Sequence, residues 1–313
     1  MVKRIDEKIG KVKMGKVVVI TNRKGGVGKT MTTVSLGASL ARQGKRVLVI
    51  DADSQHNLTF SLGVAEPDKL GVSLATIMSK IIAKNAYDEE ITIDTINHAA
   101  GIIRHVEGAR FDSRVGLRVD VDDSEVGLDG LGSGFSLDLM PANNSLAGME
   151  IVLVQQQFGR ETILRQYIDM VKPNYDYVLI DTAPTLDLVA INALTAADSV
   201  IIPVAPKFLD AKGLELLLRS IALVRRHMNP YLAIEGILFT MTDSRTKLTK
   251  EITAMIEEAY GEHIDIFTQP IPHSVRAAEA SATGKSIFEH DPNGKVAAAY
   301  AALTQELLSK GGV

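Results

Sequence analysis

The chain contains no cysteine and no tryptophan, and aromatic residues make up only 5% of its 313 positions. Without a thiol, the protein cannot form a disulfide bond and cannot hold an iron–sulfur cluster through cysteine. The absence of cysteine is compatible with a cytoplasmic location, which is the location we expect.

Long hydrophobic runs are also absent. No apolar stretch approaches the roughly 18–20 residues that a membrane-spanning helix needs. The first residues, MVKRIDEKIGKVKMGK, are charged and lack the apolar core of a secretory signal. We therefore expect no membrane anchor in this sequence.

The charge balance excludes a strong general attraction to nucleic acid. The formal net charge is −4, so any DNA binding must use a local basic patch. Hydrophobic residues make up 46% of the chain and charged residues 23%, which is typical of a protein with a buried core.

The most informative stretch begins VVVITNRKGGVGKT. A β-branched run from Val17 to Thr21 predicts a buried strand, a glycine-rich turn follows, and helical apolar spacing starts at Lys29. A strand, a glycine loop and a helix together form a phosphate-binding loop. The glycines let backbone N–H groups approach phosphate oxygens, and the helix N-terminus favours negative charge.

This motif predicts the residues that bind the nucleotide. Lys29 would reach the β and γ phosphates, and the Thr30 hydroxyl would hold Mg²⁺. The match departs from the usual pattern at one place, because Arg23 stands where the first glycine is expected. The predicted nucleotide-binding residues of the loop are Lys24, Gly25, Gly26, Val27, Gly28, Lys29, Thr30 and Met31.

Three aspartates follow predicted buried strands. Asp51 and Asp53 close the run RVLVI, and Asp181 closes YDYVLI. Ligands of open α/β sheets bind at the carboxyl ends of the strands, so these carboxylates are expected near the phosphate loop. Strands alternate with helices along the chain, which predicts an α/β fold with a mostly parallel twisted sheet flanked by helices on both faces.

The loop KGGVGKT, with its extra Lys24, resembles the deviant Walker A loop of the ParA/MinD family of dimeric ATPases. Further segments resemble ParA relatives: DADSQHN after the second strand (usually DLDPQGN), LDLMPAN at 137–143, and PIPHSVRAAEA from Pro270. The resemblance covers about residues 16–63 and 137–309. Two departures are Met31, where a second threonine is usual, and His273, where many relatives have arginine.

The resemblance implies roles for individual residues. Lys24 would reach the partner's nucleotide across a dimer interface, and Asp53 would orient the attacking water. Asp51 would support the metal shell or a switch region, and Asp181 would hold Mg²⁺ through its water shell. The resemblance places Pro270 and Pro272 near the adenine base and implies that Arg245 and Arg276 bind DNA. Lys247, Lys250 and Lys285 are additional candidates for DNA contacts.

The family implies a DNA-partitioning ATPase that uses ATP and Mg²⁺. Its ATP-bound homodimer would bind DNA non-specifically on the nucleoid, and a ParB-like centromere-binding partner would stimulate hydrolysis and release. One alternative is a membrane-cycling positioning ATPase of the MinD kind, although the end AALTQELLSKGGV has few basic residues. Another is a DNA-bound regulator with little catalytic importance.

The domain organisation is predicted from where the resemblance stops. Residues 1–15 form an N-terminal extension, and residues 16–313 form one P-loop ATPase domain with an insertion at about 80–136. We expect a helix near Ile91 to Ile103 and, from Arg110 to Gly134, an acidic and glycine-rich hairpin or loop. The aspartates there lack the spacing of an EF-hand, so we do not interpret them as a calcium site.

Overall fold

The computed structural model describes residues 15–87, 103–106, 110–112, 116–118, 136–207 and 210–310. Most of the N-terminal extension, most of the predicted helix near Ile91 to Ile103 and most of the acidic stretch from Arg110 to Gly134 lie outside these residues. Of that acidic stretch, residues 110–112 and 116–118 are described. Ile103 itself begins a strand.

A seven-stranded sheet forms the centre of the molecule, in the order β3-β6-β2-β7-β1-β8-β9. Six of these strands are parallel to one another, and β3 pairs antiparallel with β6 at one edge. The predicted mostly parallel sheet is therefore confirmed. Its strands are β1 (Lys16–Ile20), β2 (Val47–Ala52), β3 (Ile103–Val106), β6 (Ser136–Met140), β7 (Tyr177–Thr182), β8 (Ser199–Val204) and β9 (Ala233–Phe239). Two further strands, β4 (Arg110–Asp112) and β5 (Gly116–Arg118), pair with each other as a separate antiparallel ribbon.

Helices cover both faces of the sheet. The described helices are α1 (Lys29–Arg42), α2 (Asn57–Ser61), α3 (Leu74–Tyr87), α4 (Ser145–Val154), α5 (Ile163–Val171), α6 (Leu188–Ala196), α7 (Asp210–His227), α8 (Lys247–Tyr260), α9 (Val275–Ala282), α10 (Ile287–His290) and α11 (Lys295–Lys310). Single 3₁₀ turns occur at Pro67–Lys69 and Lys172–Asn174.

Alternate residues of the central strands point into two separate hydrophobic layers. Val17 and Val19 of β1 belong to one layer, whereas Val18 and Ile20 belong to the other. All four side chains are fully buried. Because both faces of a parallel sheet are covered, its strands are continuously apolar, which is the pattern that the sequence shows.

Two element predictions differ from the structure. The sequence predicts a long helical stretch from Leu146 with Arg160 and Glu161 in its middle, but the structure has two helices there, α4 and α5. Gly159, between them, has a left-handed backbone with φ of 69°. The sequence also predicts a short strand at Ile264–Phe267, which is reduced to a single bridge between Ile237 and Ile266. Periodicity alone did not reveal either interruption.

One turn depends on glycine for two independent reasons. Gly284 has φ of 67°, and a Cβ added to it would lie 2.7 Å from the Cα of Gly63. Gly44 after α1 also has positive φ, at 76°, but nothing lies within 4 Å of an added Cβ. A comparison of substitutions at Gly284 and Gly44 therefore separates the energetic cost of backbone strain from that of steric overlap.

We predict that Gly284→Ala destabilises the protein more than Gly44→Ala does. Gly44→Ala should cost about 1–2 kcal/mol from the left-handed backbone. Gly284→Ala should add about 1–3 kcal/mol more, because the methyl group meets backbone that cannot rotate away. Urea denaturation of both variants checks this, and equal losses would contradict the steric argument.

Candidate nucleotide-binding site

The loop between β1 and α1 has the geometry of an anion cradle. Gly26 and Gly28 have φ of 71° and 83°, which turns successive backbone N–H groups toward one side. In the described α1, no side chain caps the N-terminus and the first turn carries no acidic residue. The N-terminal N–H groups of this helix are thus left for an anion.

Asn22 fixes the entry to this loop. Its Nδ2 donates to the Pro203 carbonyl at 2.7 Å, and its Oδ1 accepts from the Lys24 backbone N–H at 3.1 Å. The side chain is 1% exposed, so these hydrogen bonds are shielded from water. Asn22 therefore ties the start of the loop to the neighbouring strand β8.

Lys29 is a buried cation at the base of the loop. It is 7% exposed, and its Nζ donates to the Lys24 carbonyl at 3.1 Å. Burial lowers the pKa of this ammonium, while the nearby carboxylates of Asp181 and Asp53 act in the opposite direction. A phosphate at the loop would supply a stronger counter-charge than the carbonyl does.

Thr30 and Asp181 form an oxygen pair next to this lysine. The Thr30 hydroxyl donates to Asp181 Oδ2 at 2.6 Å. Asp181 is fully buried, and burial together with the neighbouring Asp51 raises its pKa to about 8, against the hydrogen bond from Thr30. A carboxylate held in this way is stabilised by a cation, and hydroxyl and carboxylate oxygens are ligands that Mg²⁺ accepts.

The Thr30 hydroxyl and the Asp181 carboxylate suit a metal ion that takes its other ligands from a bound substrate and from water. Within the described ranges, no group of three or more histidine, aspartate or glutamate side chains could hold a metal by itself. Mg²⁺ usually keeps several waters and binds one or two carboxylates together with substrate phosphates. Thr30 and Asp181 fit that requirement.

Asp51 organises the segment that follows β2. Its Oδ2 accepts from the Thr59 N–H at 2.8 Å and from the Thr59 hydroxyl at 2.7 Å, and its Oδ1 accepts from the Asp53 N–H at 3.2 Å. Burial raises its pKa to about 6, although the hydrogen bonds from Thr59 lower it. Thr59 also accepts from the Ala142 N–H at 3.0 Å. Asp51 therefore ties the end of β2 to α2, and the two roles expected for it, in the metal shell or in a switch region, stay predictions.

Asp53 lies at the edge of the cavity beside this segment. It is 6% exposed, and its Oδ1 accepts from the Gln55 N–H at 2.9 Å. The next turn contains His56 with φ of 45°, at the position where the resembling motif has glycine. The His56 ring packs against Phe60 with centroids 4.8 Å apart.

A cavity of about 530 Å³ extends from the loop to the C-terminal third of the chain. Of the predicted residues, Gly25, Gly26, Gly28, Lys29, Thr30, Met31, Asp53 and Pro272 line it. Val27 is buried, and its carbonyl accepts from the Thr240 hydroxyl at 2.7 Å. Pro270 was expected in the same cavity but lines a neighbouring one of about 390 Å³, which it shares with Pro272.

Several residues at the far end of the cavity were not among the predicted site residues. They come from three separate segments and are Thr240, Met241, Ile271, Ala277, Ser281, Val296 and Tyr300. Tyr300 is buried in α11, and its hydroxyl lies 3.2 Å from that of Thr32 in α1. The segment from 270 to 279 was singled out by resemblance, but nothing in the local pattern of α11 pointed to Tyr300.

The three residues predicted to bind DNA lie outside this cavity. The side chains of Arg245, Arg276 and Lys247 are 87%, 65% and 91% exposed. Each forms an ion pair with a carboxylate on its own segment, at Asp243, Glu279 and Glu251 respectively. The structure therefore separates the predicted DNA residues from the predicted nucleotide residues.

The fold and the site define a P-loop protein with a deviant Walker A loop. The family model described as an AAA domain matches residues 15–113 and 132–234. The sporulation initiation inhibitor protein Soj of Bacillus subtilis (strain 168) is 37% identical over 298 residues, which cover 95% of this chain and all of that protein. The chromosome partitioning protein ParA of Caulobacter vibrioides (strain NA1000 / CB15N) is 32% identical, with 94% of each chain covered. The chain belongs to the Soj/ParA family.

A solved structure gives the same fold. The cobyrinic acid a,c-diamide synthase from Mycobacterium smegmatis with bound ADP and magnesium superposes with a TM-score of 0.70 at 31% identity, and the match covers 96% of this chain and 97% of that one. Among the described residues of the present chain, no helix is long and apolar enough to cross a membrane.

We predict that Thr59→Val destabilises the protein by about 1–3 kcal/mol. The substitution keeps the side-chain shape but leaves the buried Asp51 carboxylate and the Ala142 N–H each without one hydrogen bond. Thr59→Ser is the matched control, because it keeps the hydroxyl and should cost less. Urea denaturation without nucleotide measures both, and similar losses for the two variants would contradict a role for the hydroxyl.

Proposed function

We propose that this protein is a DNA-partitioning ATPase that binds ATP with Mg²⁺, dimerises around the nucleotides and binds DNA non-specifically in that state. One observation carries the proposal. The wall of the cavity opposite the phosphate loop is made by Met241, Ile271, Pro272 and His273. Arg245 and Arg276 follow these residues a few positions along the chain.

The phosphate end of the cavity accounts for binding and hydrolysis of ATP. Lys29 and the loop N–H groups neutralise phosphate oxygens, which is the electrostatic stabilisation that phosphoryl transfer requires. Thr30 and Asp181 would hold Mg²⁺, which would further neutralise the phosphate charge. Asp53 borders the cavity. In our proposal it orients the attacking water. Asp53 is the general base that we assign, and intrinsic turnover is slow.

Dimerisation depends on Lys24. It lies at the front of the same loop, and its backbone is held by Asn22. In our proposal the Lys24 side chain contacts the partner's nucleotide, so that two protomers close only when ATP is bound. A ParB-like partner stimulates hydrolysis, and the dimer then separates from DNA. The site of action is the nucleoid.

The exposed arginines suit a partner recognised by its phosphates. Arg245 and Arg276 carry permanent charge on the surface, and contacts of this kind position a protein on DNA without reading its sequence. The net charge of −4 means that such binding is local. Lys247 follows Arg245 by two positions and is also exposed, and in our proposal it adds a further DNA contact.

The membrane-cycling alternative needs an amphipathic C-terminal helix with a free apolar face. In the structure, α11 directs Val296, Tyr300, Leu303 and Leu307 into the hydrophobic layer that also contains Val18 and Ile20. Because this apolar face already packs in the core, it supports the partitioning function over the membrane-cycling one.

We predict different defects for the two lysines of the loop. Lys29→Ala should lower ATPase kcat/KM by at least about 100-fold, because it removes a buried cation from the phosphates. Lys24→Ala should still bind a fluorescent ATP analogue but fail to dimerise with ATP, as measured by light scattering. A Lys24→Ala protein that dimerises as the wild type does would contradict the role given to Lys24.

We also predict that binding to non-specific duplex DNA requires ATP and weakens steeply with salt. The slope of log K against log[salt] should be about −0.9 for each phosphate contacted. Arg276→Ala should reduce that slope by about one for each contacting protomer. Fluorescence anisotropy with ATP, ADP and no nucleotide tests this. Absence of DNA binding in all three states would overturn the proposed function.

A further inference from the structure

The two arginines are attached to one small backbone ladder. The Thr242 N–H donates to the Ile271 carbonyl at 3.1 Å, and the His273 N–H donates back to the Thr242 carbonyl at 3.0 Å. The Thr242 hydroxyl also donates to Ile271 at 3.2 Å. Arg245 follows Thr242 by three positions and Arg276 follows His273 by three. The ladder therefore fixes both segments to each other beside the nucleotide cavity.

Arg245 is held by a carboxylate in a two-point contact. Its Nε donates to Asp243 Oδ1 and its Nη2 to Asp243 Oδ2, both at 2.9 Å. The backbone N–H of Arg245 also donates to Asp243 Oδ1 at 3.1 Å. These contacts hold the pKa of Asp243 down at about 2, with a smaller effect from His273. The carboxylate stays ionised and presents two oxygens in the way that a phosphodiester does.

Arg276 is held in a similar way on α9. Its Nη1 donates to Glu279 Oε2 at 3.3 Å, and His290 Nε2 lies 3.2 Å from the same oxygen. Hydrogen bonds from His290 and the charge of Arg276 hold the pKa of Glu279 below its ordinary value. His290 is the more buried partner, with 19% of its side chain exposed, so it anchors Glu279 within reach of the arginine.

We propose that Asp243 and Glu279 are built-in competitors for DNA phosphate, each of which occupies one arginine until a phosphate displaces it. This inference rests on the proposed function, because it assigns a task to residues around the proposed DNA patch. It adds that the protein limits its own DNA affinity through two carboxylates.

The energetic balance favours displacement by a polyanion. Ion pairs as exposed as these are weak, because water screens them and ordering two side chains costs entropy. A DNA backbone offers many phosphates and gains further from the release of condensed counterions. The carboxylates therefore lower DNA affinity without preventing binding. The arginine–phosphate contacts that replace these ion pairs are readily reversed when the dimer separates.

The test is a double-mutant cycle at Arg276 and Glu279. Affinity for a non-specific duplex is measured by fluorescence anisotropy, with ATP, for the wild type, Glu279→Gln, Arg276→Ala and the double variant. Glu279→Gln should raise affinity by about 2- to 5-fold, the range that an exposed ion pair allows. In the Arg276→Ala background, Glu279→Gln should change DNA affinity little, because the arginine that it would release is absent.

Two further variants complete the design. Glu215→Gln removes the same charge from an ion pair with Arg219 on α7, and it should leave DNA affinity almost unchanged. Asp243→Asn tests the second arginine independently and should also raise affinity. Thermal unfolding of each variant confirms that it is folded.

The outcomes separate this inference from the proposed function. Equal gains from Glu279→Gln with and without Arg276 would show a general charge effect and overturn the inference. Wild-type affinity in both Glu279→Gln and Asp243→Asn would overturn it as well and leave the ATP-dependent DNA binding intact. If neither the wild type nor any variant binds DNA, both the inference and the proposed function fail.

Discussion

The burial of charge at the carboxyl edge of the sheet is the constraint on which the rest of this structure depends. Lys29, Asp51 and Asp181 are all at most 7% exposed, and Asp51 and Asp181 are paired across the neighbouring strands β2 and β7. Two carboxylates in such a place are costly unless cations and hydrogen bonds compensate them. Lys29, Thr30 and Thr59 provide part of that compensation, and a bound cation would provide more.

This arrangement joins the phosphate loop and the segment that follows β2 into one unit. Asp181 receives its hydrogen bond from the phosphate-loop helix, whereas Asp51 receives its hydrogen bonds from the segment that follows β2. The charge of Asp51 in turn acts on Asp181. Thr59 also accepts a hydrogen bond from the N–H of Ala142, two residues after β6. These contacts join the phosphate-loop helix, the segment after β2 and the segment after β6.

The opposite wall of the cavity connects the nucleotide to the surface. Thr242, Ile271 and His273 form a short ladder whose inner side borders the cavity and whose segments continue to Arg245 and Arg276. Each arginine is paired with a nearby carboxylate, and the proposed moderation of DNA affinity rests on these two ion pairs.

Much of the architecture followed from local patterns. The continuous apolar runs predicted the buried parallel strands, and the glycine spacing located the phosphate loop with Lys29 and Thr30, because backbone conformation there is set by neighbouring residues. The break between α4 and α5 and the reduced pairing at Ile266 were not predicted. The helix break coincides with the left-handed Gly159, and the reduced pairing at Ile266 depends on packing at the edge of the sheet. The spacing of apolar residues predicts neither feature.

By itself, the sequence determined the fold class, the position of the phosphate loop and the strand-end aspartates, since each depends on short-range pattern. Only the tertiary structure decided that Tyr300, Thr240 and Ser281 line the same cavity as the loop, that Asp51 holds Thr59, and that Pro270 faces a separate cavity. These contacts join residues distant in sequence, and the packing of α11 and the 240–280 region against the sheet brings them together.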